Sequence, residues 1–151
     1  IEPHTELENA VRAVKDKPTI LSLTHDIADA HPVVRNVGGR YVGSFLHMFG
    51  FIFIDPVDFP LILQDDYGDL PAAKREYFER ERENALYQVH IAARDIRERR
   101  PDIILMSRVE EWKQFLMMQP DMKQALADYE YVSTADNVEV WKRKEKTVPL
   151  P

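Results

Sequence analysis

The stretch His25-Asp26-Ile27-Ala28-Asp29-Ala30-His31 places two imidazoles and two carboxylates within seven residues. Imidazole nitrogens and carboxylate oxygens are ligands that suit zinc or manganese. One reading is therefore a metal or substrate site. The other is a polar loop in which Asp26 or Asp29 caps a turn or helix and the histidines stay partly exposed. The spacing is not His-x-x-x-His, so we expect a ligand-facing loop and assign it no metal and no cofactor. Ten residues downstream of His25, Arg35 and Arg40 flank Gly38 and Gly39. Guanidinium forks match phosphate oxygens, so this segment could cradle an anion such as a polyprenyl phosphate. The plainer alternative is a surface loop with its glycines at positive φ.

Other candidates are weaker. Asp65, Asp66 and Asp69 stand before a long helical pattern, but their spacing is not that of an EF-hand loop. Complementing the helix dipole explains them with fewer assumptions. Asp55-Pro56-Val57-Asp58 is not an Asp-x-Asp motif. The chain has no Gly-x-Ser-x-Gly, no P-loop and no Gly-x-Gly-x-x-Gly. It has no cysteine, which excludes thiol chemistry, disulfides and Cys-based zinc sites. No catalytic residue is assigned.

The elements that position these residues can be read from periodicity. Thr5 and Glu8 have capping-box spacing, and Leu7, Ala10, Val11 and Val14 follow at helical intervals. "TILSLT" (19–24) reads as a buried strand, so the His/Asp cluster lies just past its carboxyl end, where open parallel sheets bind ligands. Residues 31–43 read as extended or irregular, with a short strand broken at the glycines. The apolar run 44–54 is expected to be helical in its first half and extended near Phe51–Ile54. Residues 55–71 read as mostly loop. A long helix spans Ala72 to Arg99, with Phe78, Ala85, Val89, Ala92 and Ile96 as its apolar stripe. Glu76–Arg80 and Asp95–Arg99 are ion pairs on its polar side. Pro101 stops it. "DIILMS" (102–107) is a second buried strand, and Ser107 with Glu110 resembles a capping box for a helix through Trp112, Phe115 and Leu116. A short helix follows Pro120. Two strands around Asp136-Asn137 suit a hairpin. The expected fold class is α/β: a three-layer, Rossmann-like domain with a small, mostly parallel sheet and a C-terminal antiparallel hairpin. We take 1–146 as a single domain and 147–151 as a frayed tail.

Composition bounds the function. The net charge is −6 with no block of basic residues, which argues against nucleic acid as a partner. The longest mostly apolar run, 41–54, would span about 21 Å as a helix, short of a hydrocarbon core of about 30 Å. Its phenylalanines 49, 51 and 53, with Met48 and Phe59, read as core, or as a docking face if exposed. Trp112 and Trp141 read as packing residues. The chain starts at Ile1 and carries no signal-peptide pattern, so we expect a piece of a longer protein.

Three stretches, "ILSLTHDIADAHPVV…GGRYVGSF" (20–45), "RRPDIILM" (99–106) and "DYEYVSTADNVEVWKRK" (128–144), resemble the soluble C-terminal domain of certain bacterial polytopic membrane proteins. Those proteins are similar to membrane-embedded glycosyltransferases of the dolichyl-phosphate-mannose type. The family pattern is met by His25-Asp26, His31-Pro32, Gly39-Arg40-Tyr41, Arg100-Pro101-Asp102 and Tyr131 onward to Arg143. His31 stands where the pattern has an aromatic, and "GSFLHMF" (43–49) lacks its Arg and its Trp. The resemblance implies an extracytoplasmic, periplasmic-side domain whose partner is the membrane-embedded part of the same polypeptide. It implies a carbohydrate or lipid-phosphate ligand, and a catalytic carboxylate that lies outside this chain. The rivals are a free-standing metal-dependent α/β hydrolase using His25, Asp26 and His31, and a protein–protein module.

Overall fold

The computed structural model describes residues 5–25, 30–48 and 54–145. The element order is α1 (Thr5–Val14), β1 (Thr19–Leu23), α2 (His31–Asn36), β2 (Arg40–Tyr41), α3 (Phe59–Gln64), α4 (Ala72–Arg99), β3 (Ile103–Ser107), α5 (Glu110–Met118), α6 (Pro120–Leu126), β4 (Tyr129–Ala135) and β5 (Val138–Arg143). A five-stranded sheet has the order β2-β1-β3-β5-β4. β2, β1 and β3 are parallel; β5 pairs antiparallel with β3, and β4 antiparallel with β5. The α/β class, the parallel start and the antiparallel hairpin are as expected.

Side-chain alternation along the strands divides the core in two. Ile20, Ile103, Leu105, Val138 and Val140 face α1 and α2. Leu21, Leu23, Ile104 and Met106 face α4, α5 and α6. Helices thus cover both faces, giving three layers. β1 and β3 are buried almost throughout, as parallel strands between helices must be. α4 keeps the anticipated bounds, and its stripe from Phe78 to Ile96 is buried. The hairpin turns through Asp136 (φ 51°) and Asn137 (φ 64°), the left-handed pair that a two-residue turn between twisted strands requires. Among the described residues no helix is long and apolar enough to cross a membrane.

Several local expectations are corrected. Residues 31–36 are helical, because Pro32 sits in the first turn, where its missing N–H costs nothing, and Val33 and Val34 bury against β1. The strand comes after the glycines, not across them. The segment 44–47 is a series of bends and not a helix. Residues 55–71 contain a 3-10 turn (Pro56–Asp58) and α3, which ends at Asp65 in the left-handed region (φ 52°). Asp66 accepts a hydrogen bond from the Gly68 N–H at 3.1 Å, so its carboxylate closes a turn after α3, while the Asp65 carboxylate lies 3.8 Å from Arg82. Asp95 lies on the buried side of α4, not the polar side, at 1% exposure. Neither capping box forms. Glu8 accepts from the Asn36 amide at 2.7 Å, and Asp136 of the hairpin turn takes the Leu7 N–H at 3.2 Å. α5 starts at Glu110, two residues too late for Ser107 to cap it. The tail 147–151 and phenylalanines 49, 51 and 53 lie outside the described residues, whereas Met48 and Phe59 are core.

Gly39 is where α2 turns into β2 against the start of β1. A Cβ there would sit 2.8 Å from the Pro18 carbonyl oxygen and 3.3 Å from Ile20. The contact is with backbone, so relief requires moving β2 off β1. Gly39→Ala is expected to cost about 1–3 kcal/mol, the usual range for overpacking, measured by urea unfolding. A neutral result would show that β2 is not pinned to β1 by this approach.

Candidate functional site

The carboxyl ends of β1 and β2 form the candidate site. β1 delivers Ser22, and the chain leaving it Thr24 and His25; β2 delivers Tyr41; the start of α2 delivers His31; and the bends after β2 fold over them. Ser22 Oγ and Thr24 Oγ1 are 2.6 Å apart and buried, a hydroxyl pair that satisfies itself. The Tyr41 hydroxyl donates to the Phe45 carbonyl and accepts from the Ser22 N–H at 3.3 Å. Burial pushes that phenol up to about 12, so it stays protonated and remains a donor. Met48 N–H donates to the Thr24 carbonyl at 2.8 Å, and Ser44 N–H donates to the buried Asp95 carboxylate at 2.8 Å. The segment 44–48 is thus tied at three points to β1, β2 and α4.

His31 lies at the amino end of α2. Its Nε2 is 2.7 Å from the Leu46 carbonyl, and its ring is 4.6 Å from that of Tyr41. His25 lies deeper. Its ring is 4.7 Å from Trp112, and its Nδ1 is buried with no hydrogen-bond partner among the described residues. Burial lowers its pKa, a backbone hydrogen bond with Met48 opposes this, and nearby His47 adds to the lowering. The neutral imidazole is therefore favoured. Trp112 closes the site from the α5 side, its indole N–H donating to the Leu23 carbonyl at 3.0 Å.

The structure separates the anticipated site residues. His25 and His31 share the carboxyl end of β1. Asp26 and Asp29 lie outside the described residues. Arg40 pairs with Thr19 at the opposite, amino-terminal end of β1. Arg35 is in the last turn of α2, and its carbonyl accepts from the Gly38 N–H beside Lys17, again towards that end. Both arginines are exposed. At 3.3 Å per residue the six steps from Thr19 to His25 span up to about 20 Å, so the arginines and histidines cannot hold one small ligand together. Among the described residues no three His, Asp or Glu side chains converge as a metal site. Sequence reasoning missed Tyr41, Asp95 and Trp112 as wall residues. Tyr41 lay within the quoted Gly-Arg-Tyr step, but nothing in the sequence showed where its hydroxyl would reach.

Comparison with family models, with curated proteins and with solved structures finds no match.

Proposed function

We propose that this chain is a non-catalytic accessory domain of a membrane glycosyltransferase-like protein, standing on the extracytoplasmic side. It presents the end of β1, around His25 and His31, to a carbohydrate or polyprenyl-phosphate-linked group. The observation that carries this reading is how the polar groups at that end are used. Ser22, Thr24, Tyr41 and His31 hold each other or backbone carbonyls. Such bonds fix a surface in place; they do not set a nucleophile beside a base. The resemblance over 20–45, 99–106 and 128–144 supplies the molecular context.

The test is a sugar-transfer assay on three samples: this chain alone, the full-length parent, and the parent with this domain deleted. The chain alone is expected to be inert, and the deletion to lose use of its acceptor. Transfer by the chain alone would overturn the reading. A metal-dependent hydrolase, the rival, predicts one tightly held zinc or manganese per chain. Elemental analysis of the purified chain is expected to find well under one equivalent, with thermal stability unchanged by chelator. A full equivalent removed by chelator, with loss of stability, would favour the rival.

A further inference from the structure

We propose that the amino-terminal end of the sheet carries a separate binding site, a basic groove that takes phosphate-bearing anions. The groove has a volume of about 820 Å³. Lys15, Arg99, Arg100, Lys142, Arg143 and Lys144 line it, against the carboxylates of Asp102 and Glu145. A surplus of cations at one place is notable in a chain whose net charge is −6, since the rest of the surface must be more acidic still. The topology creates it. The last turn of α4, the segment after α1 and the exit of β5 all end there, and each ends in basic residues.

Local structure uses only part of that charge. The carboxyl-terminal dipole of α4 is worth about half a charge. Asp102 is shared between Lys15 at 3.0 Å and Arg143 at 3.3 Å. Arg99 donates to the Val42 carbonyl at 2.6 Å and Lys144 to the Ala127 carbonyl at 3.0 Å. A neutral carbonyl orients a cation without cancelling it. Arg100 and Asp128 are 4.0 Å apart, and Lys142 and Glu130 3.5 Å apart, in exposed pairs that contribute little and exchange partners readily. A phosphate entering the groove meets oriented guanidinium and ammonium donors, the groups that bind it best. Arg40 and Arg99 line an adjoining hollow of about 370 Å³ and extend the positive surface. The acidic remainder of the chain repels an extended polyanion. A compact phosphate or pyrophosphate group fits, free or as the headgroup of a lipid. The groove is independent of the accessory-domain reading, because none of the residues lining it belongs to the site at the end of β1, and its test involves no sugar transfer.

The test titrates inorganic pyrophosphate into the isotope-labelled chain and follows amide shifts. Saturable changes confined to 14–15, 99–102 and 142–145 are expected, weakening as salt rises. In parallel, sedimentation compares vesicles of neutral lipid with vesicles containing phosphatidic acid. The variant K142E/K144E changes two exposed lysine charges, and its fold is checked by circular dichroism. Each basic residue near an anionic surface is worth about fivefold in partitioning, so the double reversal is expected to weaken binding at least about 25-fold. Pyrophosphate binding without vesicle binding identifies a free phosphate compound, and vesicle binding alone identifies a headgroup at a surface. Absence of both overturns the proposal, as do shifts in wild type that map elsewhere or binding unchanged in a folded K142E/K144E.

Discussion

Trp112→Ala is expected to cost about 3–5 kcal/mol, the range for truncating a buried tryptophan, a large part of the roughly 5–15 kcal/mol that holds a domain together. Trp112 is fully buried. It stacks on Phe115 with ring centroids 5.8 Å apart, touches His25 and donates to the Leu23 carbonyl. The substitution leaves a cavity between α5 and the end of β1 and removes a buried donor at once. Trp112→Phe separates the two effects. It keeps most of the volume and loses the N–H, so about 1–2 kcal/mol is expected. Urea midpoints measure both. A histidine titration by NMR supplies a second readout. With the indole gone, water reaches His25, and its pKa should rise from its lowered value towards the ordinary 6.5. If Trp112→Ala is tolerated within about 1 kcal/mol and His25 titrates as before, Trp112 does not shield the end of β1.

The sequence showed the frame of this protein more clearly than its site, and particular residues explain the difference. β1, β3, α4 and the hairpin each carry a strong local signal. Buried apolar runs mark β1 and β3, a heptad-like stripe marks α4, and Asp136-Asn137 marks the hairpin turn. α2 escaped because its valines favour strands and the two glycines that follow it suggest a broken strand; burial of Val33 and Val34 against β1 overrides that propensity. Asp95 is the sharper failure. Four residues before Arg99, it reads as half of a surface ion pair, yet its carboxylate receives the Ser44 N–H from a segment 51 positions away. No local pattern encodes that contact. Arg35 and Arg40 lie near the histidines in sequence and far from them in the fold. β2 runs parallel to β1, so the chain must return to the amino-terminal end of the sheet before β2 can begin, and it carries both arginines there. Parallel topology alone predicts that separation once β2 is placed after the glycines. The same logic collects the basic ends of α4 and β5 into one groove, which no single stretch of sequence displays.

Asp102→Ala is expected to cost about 2–4 kcal/mol, because it leaves the partly buried Thr19 donors unmet and two cations uncompensated. The carboxylate accepts from the Thr19 N–H at 2.9 Å and the Thr19 hydroxyl at 3.1 Å, and it pairs with Lys15 and Arg143. Thr19 Oγ1 in turn accepts from the Asp102 N–H at 2.9 Å. This reciprocal pair locks the first residue of β1 to the chain entering β3, which sets the register Ile20 to Ile103. Burial raises the Asp102 pKa, but hydrogen bonds from Thr19 and Lys15 outweigh it, and the net shift is downward. The sign follows by linkage. The unfolded chain binds the proton more readily, so the stabilisation is complete above the ordinary value of 3.8 and is lost as pH falls through the lowered folded-state value. Wild type should therefore lose stability below about pH 4, and Asp102→Ala should be less sensitive over that interval. His25 acts with the same sign, its contribution beginning to fall as pH drops below about 6.5. Asp102→Asn keeps the shape and an acceptor but loses the charge. It should retain the Thr19 contacts in part and show the same flattened acid limb. Equal acid sensitivity in wild type and both variants would mean that Asp102 is not held ionised by Thr19 and Lys15. The clamp between β1 and β3 would then rest on hydrophobic packing alone.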